Sequence, residues 1–167
     1  NSCFTAGTKV RMADGTEKNI EDVVIGDRVV GEYGIVNQVT GLKRPTLQGR
    51  KLYALNGGPP FVTSEHPFLT AEGWKSISPS ATHAETDSIV AARLLPGDEV
   101  VFEGAISSPI PEGGMSRAVN LLPGQGFTPL QSITAHAADP DTVVYNLTLD
   151  GNHTYYAGGY LVHNCAQ

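Results

Sequence analysis

Cysteine is scarce in this chain, with 2 in 167 residues. At most one disulfide is therefore open to it, and closure of the two chain ends is one reading of the pair in a secreted protein. Long hydrophobic runs are missing: none approaches the length that spans a bilayer, so no membrane partner is expected. Basic charge is short as well. Lys and Arg total 11 against 17 Asp and Glu, a formal net charge of −6 that argues against a nucleic-acid footprint. The opening NSCFTAGTKVR has no apolar core of the kind a signal peptide needs, so none is expected. Helical periodicity is absent too, since no 12-residue segment repeats its apolar positions every 3.6 residues.

What is present is a turn-rich globular composition: 40% hydrophobic residues, 19 Gly and 11 Pro, enough for one domain with a real core. The local signal is strand and turn. Thr8–Met12 alternates and runs into Ala13-Asp14-Gly15-Thr16, a hairpin signature. Strands are expected over Arg28–Tyr33, Ile35–Leu42, Lys51–Leu55, Phe61–Thr63, Glu99–Phe102, Gln131–His136, Thr142–Leu149, Thr154–Ala157 and Tyr160–Val162. Lys18–Val23 reads as a turn or a single helical turn. One pattern occurs twice: Ile25-Gly26-Asp27-Arg28-Val29-Val30 and Pro96-Gly97-Asp98-Glu99-Val100-Val101. It suggests two related β-halves, with chance as the alternative. Glu103–Pro129 is rich in Gly, Pro and Ser without period and reads as a long surface loop within the domain.

The two cysteines nearly bracket the chain. Cys3 is two residues from the start, and Cys165 ends the run His163-Asn164-Cys165. A thiolate is a nucleophile near neutral pH. An asparagine amide can attack its own main-chain carbonyl, close a five-membered imide and break the peptide bond that follows. Histidine can move protons for both steps. Those residue types are what a chain needs to cut itself at both ends and join the pieces.

Two interior motifs stand between them. In Thr63-Ser64-Glu65-His66, a hydroxyl and an imidazole three residues apart can face one polarised amide; a plain turn with a half-exposed histidine is the alternative. In Val143–Leu149 followed by His153, a hairpin can fold the imidazole back beside Asn164; a wet turn residue is the alternative. His83 and His136 fit no motif and are expected at the surface or in hairpins.

In their order and spacing, Cys3, Thr63-x-x-His66, the Val-Tyr strand ending in His153, and His163-Asn164-Cys165 resemble the Hint superfamily. That group comprises inteins, bacterial intein-like domains and hedgehog autoprocessing domains. The resemblance spans residues 3–164, mini-intein size. It implies a horseshoe-shaped, all-β fold of two pseudo-symmetric halves. Residues 1–2 would be the upstream flank and 165–167 the downstream one. It also implies roles. Cys3 attacks the carbonyl of Ser2, His66 hydrogen-bonds and later protonates the leaving amide nitrogen, and Thr63 helps hold the oxyanion. Cys165 takes over the acyl group, and Asn164 cyclises with help from His163 and His153.

Many inteins have an acid where this chain has Asn146, which puts the coordination of the steps in question. A domain that mainly self-cleaves at one or both junctions is the first alternative. A Cys-His hydrolase and a disulfide-closed β binding module follow. No cofactor and no metal is required; zinc on Cys3 and Cys165 would be inhibitory. The expected partners are the flanking polypeptides in cis, with no external substrate turned over. A monomer and a reducing compartment are expected, and a Cys3–Cys165 disulfide would switch the reaction off.

Overall fold

A computed structural model describes residues 2–103 and 125–164. Short strands separated by Gly-containing turns dominate it, as the alternating sequence dictates. The first half runs through β1 (Phe4–Thr5), β2 (Lys9–Arg11), β3 (Glu17–Asn19), β4 (Arg28–Val30), β5 (Val36–Lys43) and β6 (Leu52–Leu55). The second half continues with β7 (Phe68–Thr70), β8 (Gly73–Ser76), helix α1 (Pro79–Glu85), β9 (Ala92–Arg93), β10 (Glu99–Glu103), β11 (Gln125–Pro129) and β12 (Ile133–His136). β13 (Val144–Leu149), β14 (Thr154–Ala157) and β15 (Tyr160–His163) close the chain.

One sheet orders β1-β13-β5-β4. A larger one orders β3-β2-β14-β15-β10-β7-β8-β9, with β11 paired to β10 and β15 paired also to β7. β12 pairs with β6. The main core joins the sheets through Phe4, Val29, Val62, Phe68, Val100, Leu147, Tyr155 and Val162. β1 lies in the first sheet and β15 in the second, and both contribute to the one core, through Phe4 and Val162.

The twice-occurring pattern is a structural repeat. Gly26 and Gly97 adopt φ of 96° and 102°, which favours glycine. The Asp27 carboxylate accepts from the Val24 N–H at 3.0 Å, and that of Asp98 from the Leu95 N–H at 2.8 Å. Each aspartate also binds a lysine: Lys18 to Asp27 at 2.9 Å, Lys75 to Asp98 at 2.7 Å.

Several expectations change. Residues 104–124 of the anticipated loop lie outside the described residues, but Glu103 and residues 125–129 are strand, not loop. Glu99–Glu103 and Gln125–Pro129 form a fully registered antiparallel pair, and Phe127 is buried between neighbouring strands. The strand expected over Arg28–Tyr33 stops at Val30. Gly31 presses against Thr154 too closely for any Cβ, and Tyr33 turns to φ 63°. Phe61–Thr63 makes only isolated bridges, from Val62 to Phe4 and to Tyr53. Lys18–Val23 divides into the end of β3 and a 3-10 turn, Ile20–Asp22. Helix α1 was not expected. At seven residues it is too short for a period to show, and its signal is the Ser78 N-cap followed by Pro79.

Candidate active site

The segment Thr63–Pro67 connects the two chain ends. At one end the Thr63 N–H donates to the Cys3 carbonyl at 3.1 Å. At the other, the His163 N–H donates to the Pro67 carbonyl at 3.2 Å. His66 lies between them, fully buried. Its ring stacks on Phe4, the residue after Cys3, with centroids 4.1 Å apart. Burial holds its pKa down to about 3, against a modest upward pull from the main chain of His163. Neither ring nitrogen completes a hydrogen bond. His66 is therefore a neutral imidazole at neutral pH that faces the main chain of His163, a group able to relay a proton.

The Cys3 N–H donates to Thr63 Oγ1 at 2.9 Å. The bond expected from this amide to His66 is thus made by Thr63 instead. The hydroxyl reaches the amide because Thr63 is the partner of Cys3 in the main-chain pairing, whereas His66 is turned onto Phe4. Cys3 is a buried free thiol packed with Leu47, Leu52 and Val144. Burial pushes its pKa up to about 11, although Arg50 pulls the other way. Both groups are buried and, at neutral pH, uncharged.

At the other end, the Asn164 N–H donates to the His153 carbonyl at 2.7 Å. His153 adopts φ 61° at the turn before β14, and its Nδ1 meets the Leu149 carbonyl at 2.7 Å. A carbonyl accepts only, so Nδ1 carries the proton and Nε2 is the acceptor. The His153 and His163 rings are 6.1 Å apart, and Trp74 lies edge-on to His163 at 5.3 Å. Burial, then the neighbouring His153, lowers the His163 pKa to about 4. Asn164 is buried. Asn146 on β13 is buried as well: its Oδ1 accepts from the Leu147 N–H at 2.9 Å and from the Tyr155 hydroxyl at 3.4 Å, and its Nδ2 has no partner.

The fold thus brings Ser2, Cys3, Thr63, His66, His153, His163 and Asn164 to one end of the core, with Asn146 on the strand that pairs with β1. Cys165 lies outside the described residues. His83 and His136 are exposed, as expected. Several contributors were not anticipated. Arg50 binds Glu65 at 3.0 Å inside the Thr63–His66 motif, and Glu85 accepts from Ser2. Glu65 was visible between two chosen residues; Arg50 and Glu85 carry no local signal. Among the described residues no group of three His, Cys, Asp or Glu side chains is placed to hold a metal ion.

Residues 3–56 match the family model for the Hom_end-associated Hint domain. The structure superposes on the M86 variant of the Ssp DnaB mini-intein with a TM-score of 0.67 at 18% identity, covering 98% of this chain and 94% of that one. The chain has the Hint fold. A DnaB intein from Synechocystis sp. gives a TM-score of 0.65 at 15% identity, covering 98% and 99%. The bacterial intein-like domain from Clostridium thermocellum gives 0.62 at 22% identity, covering 97% and 98%. A 42-residue stretch is 52% identical to the catalytic polypeptide of the V-type proton ATPase from Candida tropicalis. That stretch is 25% of this chain and 4% of the ATPase polypeptide.

Proposed function

We propose that the chain is an autocatalytic protein-splicing domain that excises residues 3–164 and joins its flanks. The observation that carries the reading is Thr63–Pro67, hydrogen-bonded to Cys3 at one end and to His163 at the other, with neutral His66 buried between. One histidine can then serve both junctions.

The Cys3 sulfur attacks the Ser2 carbonyl carbon, the C–N bond breaks, and the thiol proton ends on the Cys3 nitrogen. Thr63 fixes the direction of that N–H, and His66 carries the proton. Cys165 then attacks the thioester and releases the Cys3 thiol. The Asn164 amide nitrogen attacks the Asn164 carbonyl carbon, forming a succinimide and freeing the Cys165 amine. His153, with Nδ1 committed to Leu149, has Nε2 available to take a proton from that amide, and the departing amine gains a proton in exchange by way of His163, so that both imidazoles end neutral. The Cys165 amine finally displaces its own sulfur from the acyl group, leaving a Ser2–Cys165 peptide bond.

A second reading, self-cleavage without ligation, is favoured by Asn146. A buried amide with an unpartnered Nδ2 cannot exchange protons as a carboxylate would. Intact mass spectrometry of the domain between two folded reporters, with reductant, separates the readings. Joined reporters plus a fragment ending in succinimide at position 164 establish splicing. Separated reporters alone establish cleavage, and an unchanged precursor with reductant and chelator sinks both.

A further inference from the structure

Helix α1 ends on Glu85, which reaches back across the fold to the residue preceding Cys3. Its Oε1 accepts from the Ser2 N–H at 2.8 Å and from the Ser2 hydroxyl at 3.1 Å. Its Oε2 is buried without a partner. Ser2 itself is fully buried. The helix is locked onto the active-site loop: the Thr82 hydroxyl donates to the Glu65 carbonyl at 2.7 Å, and the Ser78 N–H donates to the Ser64 carbonyl at 3.0 Å. The carboxylate is thus held in place by the same loop that carries Thr63 and His66. A carboxylate offers only acceptors, and charge-assisted bonds are about twice as strong as neutral ones.

We propose that Glu85 determines which residue is accepted immediately upstream of the cleaved bond. It selects a small side chain that donates a hydrogen bond and rejects an anionic one. The inference rests on the self-processing reading above and deepens it. By gripping both the main chain and the side chain of residue 2, Glu85 fixes the Ser2 carbonyl relative to the Cys3 sulfur. Orientation of that kind speeds attack without adding a reacting group, so Glu85 is a positioning residue. An aspartate at position 2 would bring a second carboxylate against Glu85, whose Oε2 is already buried without a partner, and like charges at that range disfavour one another.

The test uses the full chain with Asn164→Ala and Cys165→Ala, so that only the first step remains. Hydroxylamine then attacks the acyl carbon of the thioester, forms a hydroxamate on Ser2 and releases the Cys3 thiol. The rate of that cleavage is read for Ser, Thr, Ala, Asn and Asp at position 2, each with Glu85 and with Glu85→Gln. Ser2→Thr should stay within about threefold of the parent, and Ser2→Ala should be about tenfold slower, the value of a bond to a charged acceptor. Asn and Asp have nearly the same size, so their difference reads charge. With Glu85, Ser2→Asp should be at least about tenfold slower than Ser2→Asn, and Glu85→Gln should close that gap. Equal rates for Asn and Asp with Glu85, or a gap that survives Glu85→Gln, overturn the proposal while leaving self-processing intact. Absence of hydroxylamine cleavage in the Ser2 parent is a different result: it overturns thioester formation at Cys3, and with it both the splicing reading and the selectivity.

Discussion

Thr5–Thr8 and Thr63–His66 hold equivalent places in the two halves of the fold. Each is followed by a main-chain anchor to the closing hairpin: the Lys9 carbonyl accepts from Gly158 at 2.8 Å, the Pro67 carbonyl from His163 at 3.2 Å. Each half then turns at an alanine whose N–H donates to the residue after the repeated aspartate, Ala13 to Arg28 and Ala71 to Glu99, both at 2.9 Å. The halves differ in what occupies the loop and what covers it. The first has Thr8 where the second has His66, and its loop is tied down by the Glu21 carboxylate on the Gly7 N–H and by Ile20 on the Thr8 carbonyl. The second inserts helix α1 between its hairpin and its Gly-Asp turn. That helix binds the loop carbonyls and delivers Glu85 to Ser2. One scaffold drawn twice therefore carries a loop ending on Thr8 in the half that begins with Cys3, and a loop ending on buried His66 in the other. The difference lies in one side chain and one short insertion.

The largest test of this contrast is activity. His66→Ala should slow thioester formation by about 10²–10⁴-fold, the usual worth of a positioned acid–base group. Thr8→Ala, in the equivalent place, should leave the rate within about threefold, because it touches no junction. Comparable losses at both positions, measured by hydroxylamine cleavage, would erase the distinction between the halves.

Acid stability is next. His66 and His163 titrate near 3 and 4 in the fold, below their ordinary unfolded value of about 6.5. Between those values the unfolded chain binds more protons than the folded one. Stability is then complete above about pH 6.5 and falls as pH drops towards the folded pKa values. Chemical denaturation across this window should show the loss, and His66→Gln should flatten it. An unchanged slope in that variant would mean His66 is not buried neutral.

The two Gly-Asp turns provide a smaller effect. Lys75 and Asp98 are each only 13% exposed at the side chain, whereas Lys18 is 41% exposed beside Asp27. Asp98→Asn should cost about 2–3 kcal/mol and Asp27→Asn about 1 kcal/mol, measured by urea unfolding. Equal costs would show that the two turns are energetically as well as geometrically alike. The smallest change is Lys18→Ala, at about 0.5 kcal/mol or less by the same measurement, since a pair this exposed is screened by water.

Much of this contrast can be traced in the residues. The repeated Gly-Asp pattern was visible because a left-handed glycine and a turn-closing aspartate are local requirements. The lysines that complete each turn, Lys18 and Lys75, were not, because they come from earlier strands, 9 and 23 residues away. The strand order of residues 99–102 was legible, but its partner Gln125–Pro129 was not: Gly126 and Pro129 dilute the alternation that Phe127 alone maintains. Helix α1 is two turns long and leaves no period to find. In the site, Cys3, His66 and Asn164 stand out by chemical type. Glu85 and Arg50 do not, since each works through a partner far away in sequence, Ser2 and Glu65 respectively.

The sequence alone determined which chemistry was available: a thiol near each end, an asparagine before the second thiol, histidines to carry protons, and strands patterned to bury one face. Reactivity and local turns are properties of single residues and short spacings. Only the tertiary structure decided how those groups are used. It gave the Cys3 amide to Thr63 rather than His66, buried His66 until its imidazole is neutral, and brought Glu85 onto Ser2. Those outcomes depend on burial and on contacts between residues 60 or more positions apart. Proton affinity and hydrogen-bond partnership follow the environment that packing creates, and no local stretch of chain contains it.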